Sequence, residues 1–251
     1  MLPPALPKIS CLLVTNKWRF EYVRRSLQCY LYQTYPNREL LIVNEGPTDY
    51  QLQIQQHIDS LERTDIRCVW LRGKYTLGAL RNISMALATG ELFCQWDDDD
   101  FCMPQRLAAQ YAYLSKRPQA RICYLSDQLH YYFHTQELYW DNWAKYQSAN
   151  YKRCSLVPGT VMGYRDVPVR YPSAGKFCSA GEDSVFSDAC IQRNYNSVVL
   201  MGGFGYMHVY CYHGTNQVYG IDHHSSISIH RSENIEQVLR FRDQISATVN
   251  Y

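Results

Sequence analysis

The sequence predicts an α/β fold: a Rossmann-like, mostly parallel sheet flanked by helices. Two observations carry that expectation. Strand-like and helix-like stretches alternate through the first 115 of 251 residues, the order that builds βαβ units. The strand-like runs are continuously apolar rather than alternating, which marks strands covered by helices on both faces.

Taken in order, "ISCLLVT" (9–15) is the first strand. Phe20, Val23, Leu27, Tyr30 and Leu31 follow at helical spacing, and that helix stops before Pro36, because a proline drives the preceding residue out of the α region. "RELLIVN" (38–44) is the second strand, Ile54, Ile58 and Leu61 mark a second helix, and "IRCVWLR" (66–72) is the third strand. Leu80, Ile83 and Leu87 give a third helix, with Gly90 as its C-terminal stop. "ELFCQW" (91–96) is the fourth strand, and Pro104 stands near the start of a helix carrying Leu107, Tyr111 and Leu114. After "RICYLSDQLHYYF" (121–133) the order becomes irregular, and an aromatic-rich stretch runs from Tyr139 to Tyr151 with no Gly/Ser linker before it. The expectation is one domain over 1–251, with 1–115 as one half and 116–251 as its extension. In the tail, Ser232 is a helix N-cap candidate, Glu233 lies in the first turn, and Ile235, Val238 and Leu239 share a face.

Lys and Arg number 25 against 23 for Asp and Glu, a formal net charge of +2, so nothing points to a nucleic-acid partner. The ten cysteines include no Cys-x-x-Cys pair and read as free thiols of a reducing compartment. "MLPPALPKIS" does not resemble a signal peptide, and no run approaches the roughly 20 apolar residues of a membrane span. The expected location is the cytoplasm, with peripheral contact at the inner face of the membrane left open.

In open parallel sheets, ligands bind outside the carboxyl ends of the strands. Here those ends are Thr15 and Asn16, Asn44 and Glu45, Arg72, and the run Asp97 to Asp100. Two carboxylates about 4 Å apart repel by about 4 kcal/mol at an effective dielectric near 20, so a dry cluster takes up protons or binds a cation. Mn²⁺ or Mg²⁺ answers that requirement, with a substrate diphosphate supplying further ligands. A solvated loop favouring the next helix N-terminus accounts for one or two acids, not four. Arg81, in "LGALRN", is a candidate for bidentate phosphate binding, with a helical salt bridge as the alternative. In "AGEDSVFSDAC" (180–190), Glu182 and Asp183 stand just before a helix bearing Val185, Phe186 and Ala189. They serve either as dipole partners or as a general base toward an acceptor hydroxyl. In "YMHVYCYHGTN" (206–216), His213 is the metal or phosphate candidate, while His208 reads as core. His223 and His224 are weaker candidates.

Four stretches, "LLVTNKWRFEYVRRSLQCYLYQTYPNRELLIVNEGPTD", "LGALRNISMALATGELFCQWDDDDFCMPQRL", "GEDSVF" and "YHGTN", resemble in order and spacing the family 2 nucleotide-sugar glycosyltransferases of the GT-A fold. The resemblance implies a nucleotide-sugar-binding half (1–115) and a C-terminal acceptor-side extension carrying the catalytic base (116–251). It implies that Thr15, Asn16, Asn44 and Glu45 line the nucleotide pocket and that Arg81 contacts the nucleotide or its diphosphate. Asp97 and Asp99 match the Asp-x-Asp motif, the first approaching the ribose and the second the metal, Mn²⁺ or Mg²⁺, with Asp98 assisting. His213 would complete the metal site, and Asp183 matches the catalytic base, with Glu182 beside it. The implied reaction is an inverting, in-line transfer from a nucleoside-diphosphate sugar, foremost a UDP-sugar, to a glycan, lipid-linked or protein acceptor, in glycan or polysaccharide synthesis.

Two positions depart from the family pattern. "NEG" replaces the usual aspartate pair after the second strand, so a uracil donor is not assured, and Asp98 stands where a serine is often found. "YYFHTQELYWDNWAKY" matches no motif, and its aromatics suit either acceptor binding or core. Two other functions compete with transfer. One is an inactive nucleotide-sugar or glycan binding module, against which the retained acids argue. The other is a sugar nucleotidyltransferase, whose Gly-rich loop after the first strand "TNKWRF" lacks.

Overall fold

The computed structural model describes residues 5–16, 19–135, 137–146 and 155–213. The expectations at Tyr151, His223, His224 and the tail helix lie outside those residues, as does most of "YHGTN".

Strand and helix alternate as β1 (Ile9–Thr15), α1 (Phe20–Leu31), β2 (Arg38–Asn44), α2 (Thr48–Ser60), β3 (Ile66–Trp70), α3 (Leu77–Leu87) and β4 (Leu92–Gln95). A short strand β5 (Phe101–Cys102) and helix α4 (Arg106–Ser115) follow. Then come β6 (Ile122–Leu125), β7 (Asp127–Tyr132), β8 (Glu137–Asn142), β9 (Met162–Tyr164), α5 (Glu182–Arg193), β10 (Val198–Met201) and β11 (His208–Tyr212). The main sheet has the order β10-β6-β9-β4-β1-β2-β3. All of its pairings are parallel except those made by β9, which runs antiparallel to both β4 and β6.

Alternate residues of the central strands feed two cores. Cys11, Leu13, Leu40 and Ile42 pack with Leu27 of α1, Ile54 of α2 and Leu107 of α4. Leu12, Leu41 and Val43 pack on the other face with Leu80 and Met85 of α3 and Phe186 of α5. That two-sided burial explains the unbroken apolar runs, since each fully buried Leu, Ile or Val contributes about 1.5–3 kcal/mol.

Two expectations are corrected. The helix α3 ends at Leu87, followed by Ala88, whose φ of −58° and ψ of 139° leave the helical region, so Gly90 is not its stop. Gly90 is required instead by close approach: a Cβ there would lie 2.6 Å from the Lys8 carbonyl oxygen and 2.7 Å from Ser10 Oγ. The stretch after residue 120 is also more regular than the sequence indicates. Its strands β7 and β8 join β5 and β11 in a second sheet of order β5-β11-β7-β8.

The segment leading to α5 is pinned against α3. A Cβ on Gly78 would fall 1.9 Å from the Pro172 carbonyl oxygen, and the Gly78 amide donates to the Cys178 carbonyl at 2.8 Å. This contact brings the N-terminus of α5 to the carboxyl edge of the main sheet.

Candidate functional site

At that edge a cavity of about 230 Å³ is lined by Thr15, Asn16, Arg19, Glu45, Arg81, Asp97 to Asp100, Glu182 and Asp183, among others. Asn44 is fully buried beneath it and accepts a hydrogen bond from the Gly46 amide, shaping the turn that presents Glu45. Glu45 itself accepts from the Tyr75 amide at 2.8 Å.

The four aspartates have four different environments. Asp97 accepts from Arg81 Nη2 at 3.1 Å and from the Gln95 amide at 3.0 and 3.2 Å. Asp98 accepts from the Thr15 hydroxyl at 2.7 Å, and Tyr50 OH lies 2.8 Å from the same hydroxyl. Burial, then the charge of Asp99, push the Asp98 carboxyl up to about 8, against the opposing effect of Arg19. Asp99 is paired with Arg19 and lies 3.0 Å from His213 Nε2. Burial works against its ionisation, but the His213 hydrogen bond and the Arg19 charge outweigh that and hold its carboxyl below the usual range. Asp100, the last of the run, accepts from the Cys211 amide at 2.9 Å and lies 3.2 Å from His208 Nε2. Burial, followed by the charges of Asp99 and Asp97, raises its carboxyl well above normal.

Arg81 is nearly buried and bridges two elements, with Nε donating to Glu182 Oε1 at 2.9 Å while Nη2 reaches Asp97. Its guanidinium is thus committed to carboxylates and ties the aspartate loop to the first turn of α5. Glu182 and Asp183 are the first two residues of α5 rather than residues ahead of it. Burial, and next the neighbouring charge of Glu182, push the Asp183 carboxyl up to about 6.

Sequence reasoning did not single out Arg19 or the inward role of Asp100; His208, read as core, is indeed buried and in addition lies beside Asp97 and Asp100. Arg19, at the entry to α1, reaches both Asp98 and Asp99; its place just past a strand's carboxyl end was the available signal. His208 alternates along β11 with the buried Val209 and Cys211, a pattern that a core histidine also produces. Asp97, Asp100 and His208 each bring one donor atom within 4.8 Å of the others. Burial and then Arg106 hold the imidazole neutral, its pKa pushed down to about 3. With the Gln128 amide at 3.0 Å donating to Nδ1, the ring proton sits on Nε2. Turning that amide over moves the proton to Nδ1 and frees Nε2 as a ligand. Carboxylate and imidazole donors together fit Mn²⁺, while an all-oxygen subset fits Mg²⁺.

The cavity wall carries seven carboxylates (Glu45, Asp97, Asp98, Asp99, Asp100, Glu182 and Asp183) against two guanidiniums (Arg19 and Arg81). Such a wall repels an anion unless cations or protons intervene.

The family described as Glycosyl transferase family 2 matches residues 11–170. An uncharacterized glycosyltransferase of Haemophilus influenzae is 30% identical over 98 residues, covering 38% of this chain and 29% of that protein. The chain spans less than half the length of the curated relatives it matches. Among solved structures, S. aureus TarS 1-349 in complex with UDP-GlcNAc aligns with a TM-score of 0.64 at 16% identity, over 83% of this chain and 60% of that one. The mannosyltransferase PcManGT from Pyrobaculum calidifontis, in complex with GDP-Man and Mn²⁺, aligns with a TM-score of 0.61 at 13% identity, over 85% and 59%. At these identities the likeness is one of fold, the GT-A arrangement of a mostly parallel sheet flanked by helices.

Proposed function

The chain belongs to glycosyl transferase family 2, and from that premise we propose that it moves a sugar from a nucleoside-diphosphate sugar to an acceptor hydroxyl, with inversion and with a divalent metal. The observation that carries this reading is the meeting, in one cavity, of the strand-end aspartates with Asp183, whose carboxyl is pushed up to about 6. A carboxylate of that strength is ionised near neutrality and basic enough to take a hydroxyl proton as the new bond forms.

In this reading Thr15, Asn16 and Glu45 face the nucleotide, with Asn44 holding Glu45 in place from below. Asp97 and Asp98 approach the ribose and sugar. Asp99 and His213 are the residues proposed to hold the metal, Mn²⁺ or Mg²⁺, and Asp97, Asp100 and His208 form a neighbouring set of donors. A metal held there would supply Lewis-acid stabilisation of the departing diphosphate and would offset the negative wall. Asp183 accepts the acceptor proton, the acceptor oxygen bonds to the anomeric carbon, and the electrons of the broken C–O bond leave with the nucleoside diphosphate. Arg81 positions Asp183 indirectly, through Glu182 and Asp97. Residues 1–251 are read as one domain in which the second half supplies base and acceptor side. The donor complexes of TarS and PcManGT support a nucleotide-sugar partner and recommend both UDP- and GDP-sugars for trial.

A panel of these sugar nucleotides, offered with Mn²⁺ and then with chelator, tests the reading. Metal-dependent release of nucleoside diphosphate is the expected result. Formation of nucleoside triphosphate from sugar nucleotide and pyrophosphate, or binding without turnover, contradicts it.

A further inference from the structure

A second cavity of about 200 Å³ adjoins the first and shares with it Asp97, Asp100, Gly181, Asp183 and Tyr210. Asp183 therefore stands in the wall between them. The far side of this cavity is built from the aromatic stretch and its neighbours, with Gln128, His130, Trp143 and Pro158.

We propose that this second cavity is the acceptor site and that it takes an uncharged sugar ring while rejecting phosphorylated and uronic-acid acceptors; the proposal rests on the transferase reading above. Three features of the lining lead to it. Among the described residues, no lysine or arginine lines the cavity, whereas three carboxylates do. Asp100's carboxyl is raised well above normal and Asp97 is paired with Arg81 from outside this cavity, so the unpaired negative charge is that of Asp183. A phosphate or carboxylate on the acceptor would meet it with no lining cation to pair with, an arrangement that selects by repulsion.

The second feature is hydrogen-bonding capacity. Trp143 Nε1 is buried and makes no hydrogen bond to the described residues, an orphan donor that calls for a ligand acceptor atom. A sugar hydroxyl offers one donor and two acceptor lone pairs, so it can accept from the indole N–H while neighbouring hydroxyls donate to the carboxylates. The third feature is shape chemistry. Trp143 and Tyr210 contribute aromatic surface, apolar bodies with polar tips that suit the C–H face of a sugar ring. His130 packs against Tyr210 at 5.6 Å between ring centroids and holds that wall. The aromatic stretch, undecided in the sequence between core and acceptor binding, thereby gains a binding role through Trp143.

The test uses the whole protein with Mn²⁺ and the nucleotide sugar that most raises its melting temperature. Nucleoside-diphosphate release is followed with matched pairs of p-nitrophenyl glycosides: neutral hexosides against their 6-phosphates and against the corresponding uronides. At least one neutral glycoside is expected to stimulate release, with its charged counterpart at least about tenfold weaker, as a like-charge penalty of about 1.4 kcal/mol produces. Stimulation by a charged member at or above its neutral partner, or by no neutral glycoside, overturns the proposal. Trp143→Phe keeps the ring and removes the N–H, so acceptor KM should rise about fivefold; an unchanged acceptor KM overturns the role of the indole. Failure of every sugar nucleotide to raise the melting temperature would instead remove the transferase reading, whereas donor binding with the opposite charge preference removes only the acceptor inference.

Discussion

Replacing Arg81 with methionine removes the guanidinium but keeps a flexible apolar stem of similar reach. In the native site that group is 10% exposed and faces Asp97, 22% exposed, and Glu182, 3% exposed. Asp97 retains its bonds from Gln95 and some access to water. Glu182 keeps neither water nor a cation, so the substitution strands a buried carboxylate. Removing one partner of a buried pair costs about 3–5 kcal/mol, and Asp97's remaining contacts place the expectation near the lower bound. At about 2–4 °C per kcal/mol for a chain of this size, a loss near 3 kcal/mol lowers Tm by roughly 6–12 °C. Urea unfolding followed by circular dichroism, with a thermal scan in the same buffer, measures it without any substrate. Adding Glu182→Gln removes the stranded charge, and the double variant should recover about 1 kcal/mol or more, within the range for contacting residues. A loss below about 0.5 kcal/mol for Arg81→Met, or strict additivity with Glu182→Gln, refutes the bridging role.

Other consequences reach the chemistry. Asp183→Asn should keep the donor-induced rise in melting temperature and lose transfer by a factor of about 10²–10⁴; full transfer by this variant removes the base assignment. Because the Asp183 carboxyl is pushed up to about 6, the ionised, proton-accepting form falls away below that pH. The kcat/KM profile should therefore rise through pH 6 and level above pH 7, and a flat profile between pH 5 and 8 contradicts it. Arg19 pairs with Asp98 and Asp99 and so competes with a metal for them. Arg19→Met should tighten Mn²⁺ binding in the absence of nucleotide by at least about tenfold, the scale of one charge-assisted contact of about 1.5 kcal/mol; calorimetry showing unchanged or weaker Mn²⁺ binding contradicts the competition.

Much of the main sheet was legible because burial on both faces leaves a plain record: the runs at 9–15 and 38–44 coincide with β1 and β2. The glycine at 90 misled because a glycine after a periodic run has two physical causes, a left-handed backbone or close approach, and only three-dimensional neighbours distinguish them. The second sheet was not legible. Its pairings join His208 to Cys102 and Val209 to Leu129, partners far apart in sequence, and its strands mix histidine and tyrosine with apolar residues. At the site, four adjacent carboxylates announced a cation-binding edge. How each aspartate differs from the next was hidden, because those differences are set by Thr15 of β1, Arg19 at the entry to α1, Arg81 of α3, and the Cys211 amide and His213 at the end of β11. The residues alone left Glu182 and Asp183 between dipole partners and a general base, since an acid in the first turn of a helix is ordinary by itself, and only the family resemblance singled out Asp183.

The central claim, donor binding through a metal on the aspartate edge, is tested most directly by calorimetric titration of UDP- and GDP-sugars into the wild type and Asp99→Ala, each with Mn²⁺ and with chelator. The account predicts that at least one donor binds the wild type only with Mn²⁺ and that Asp99→Ala weakens this binding by at least about tenfold, or about 1.4 kcal/mol. Equal donor affinity in chelator, or in Asp99→Ala, would contradict it.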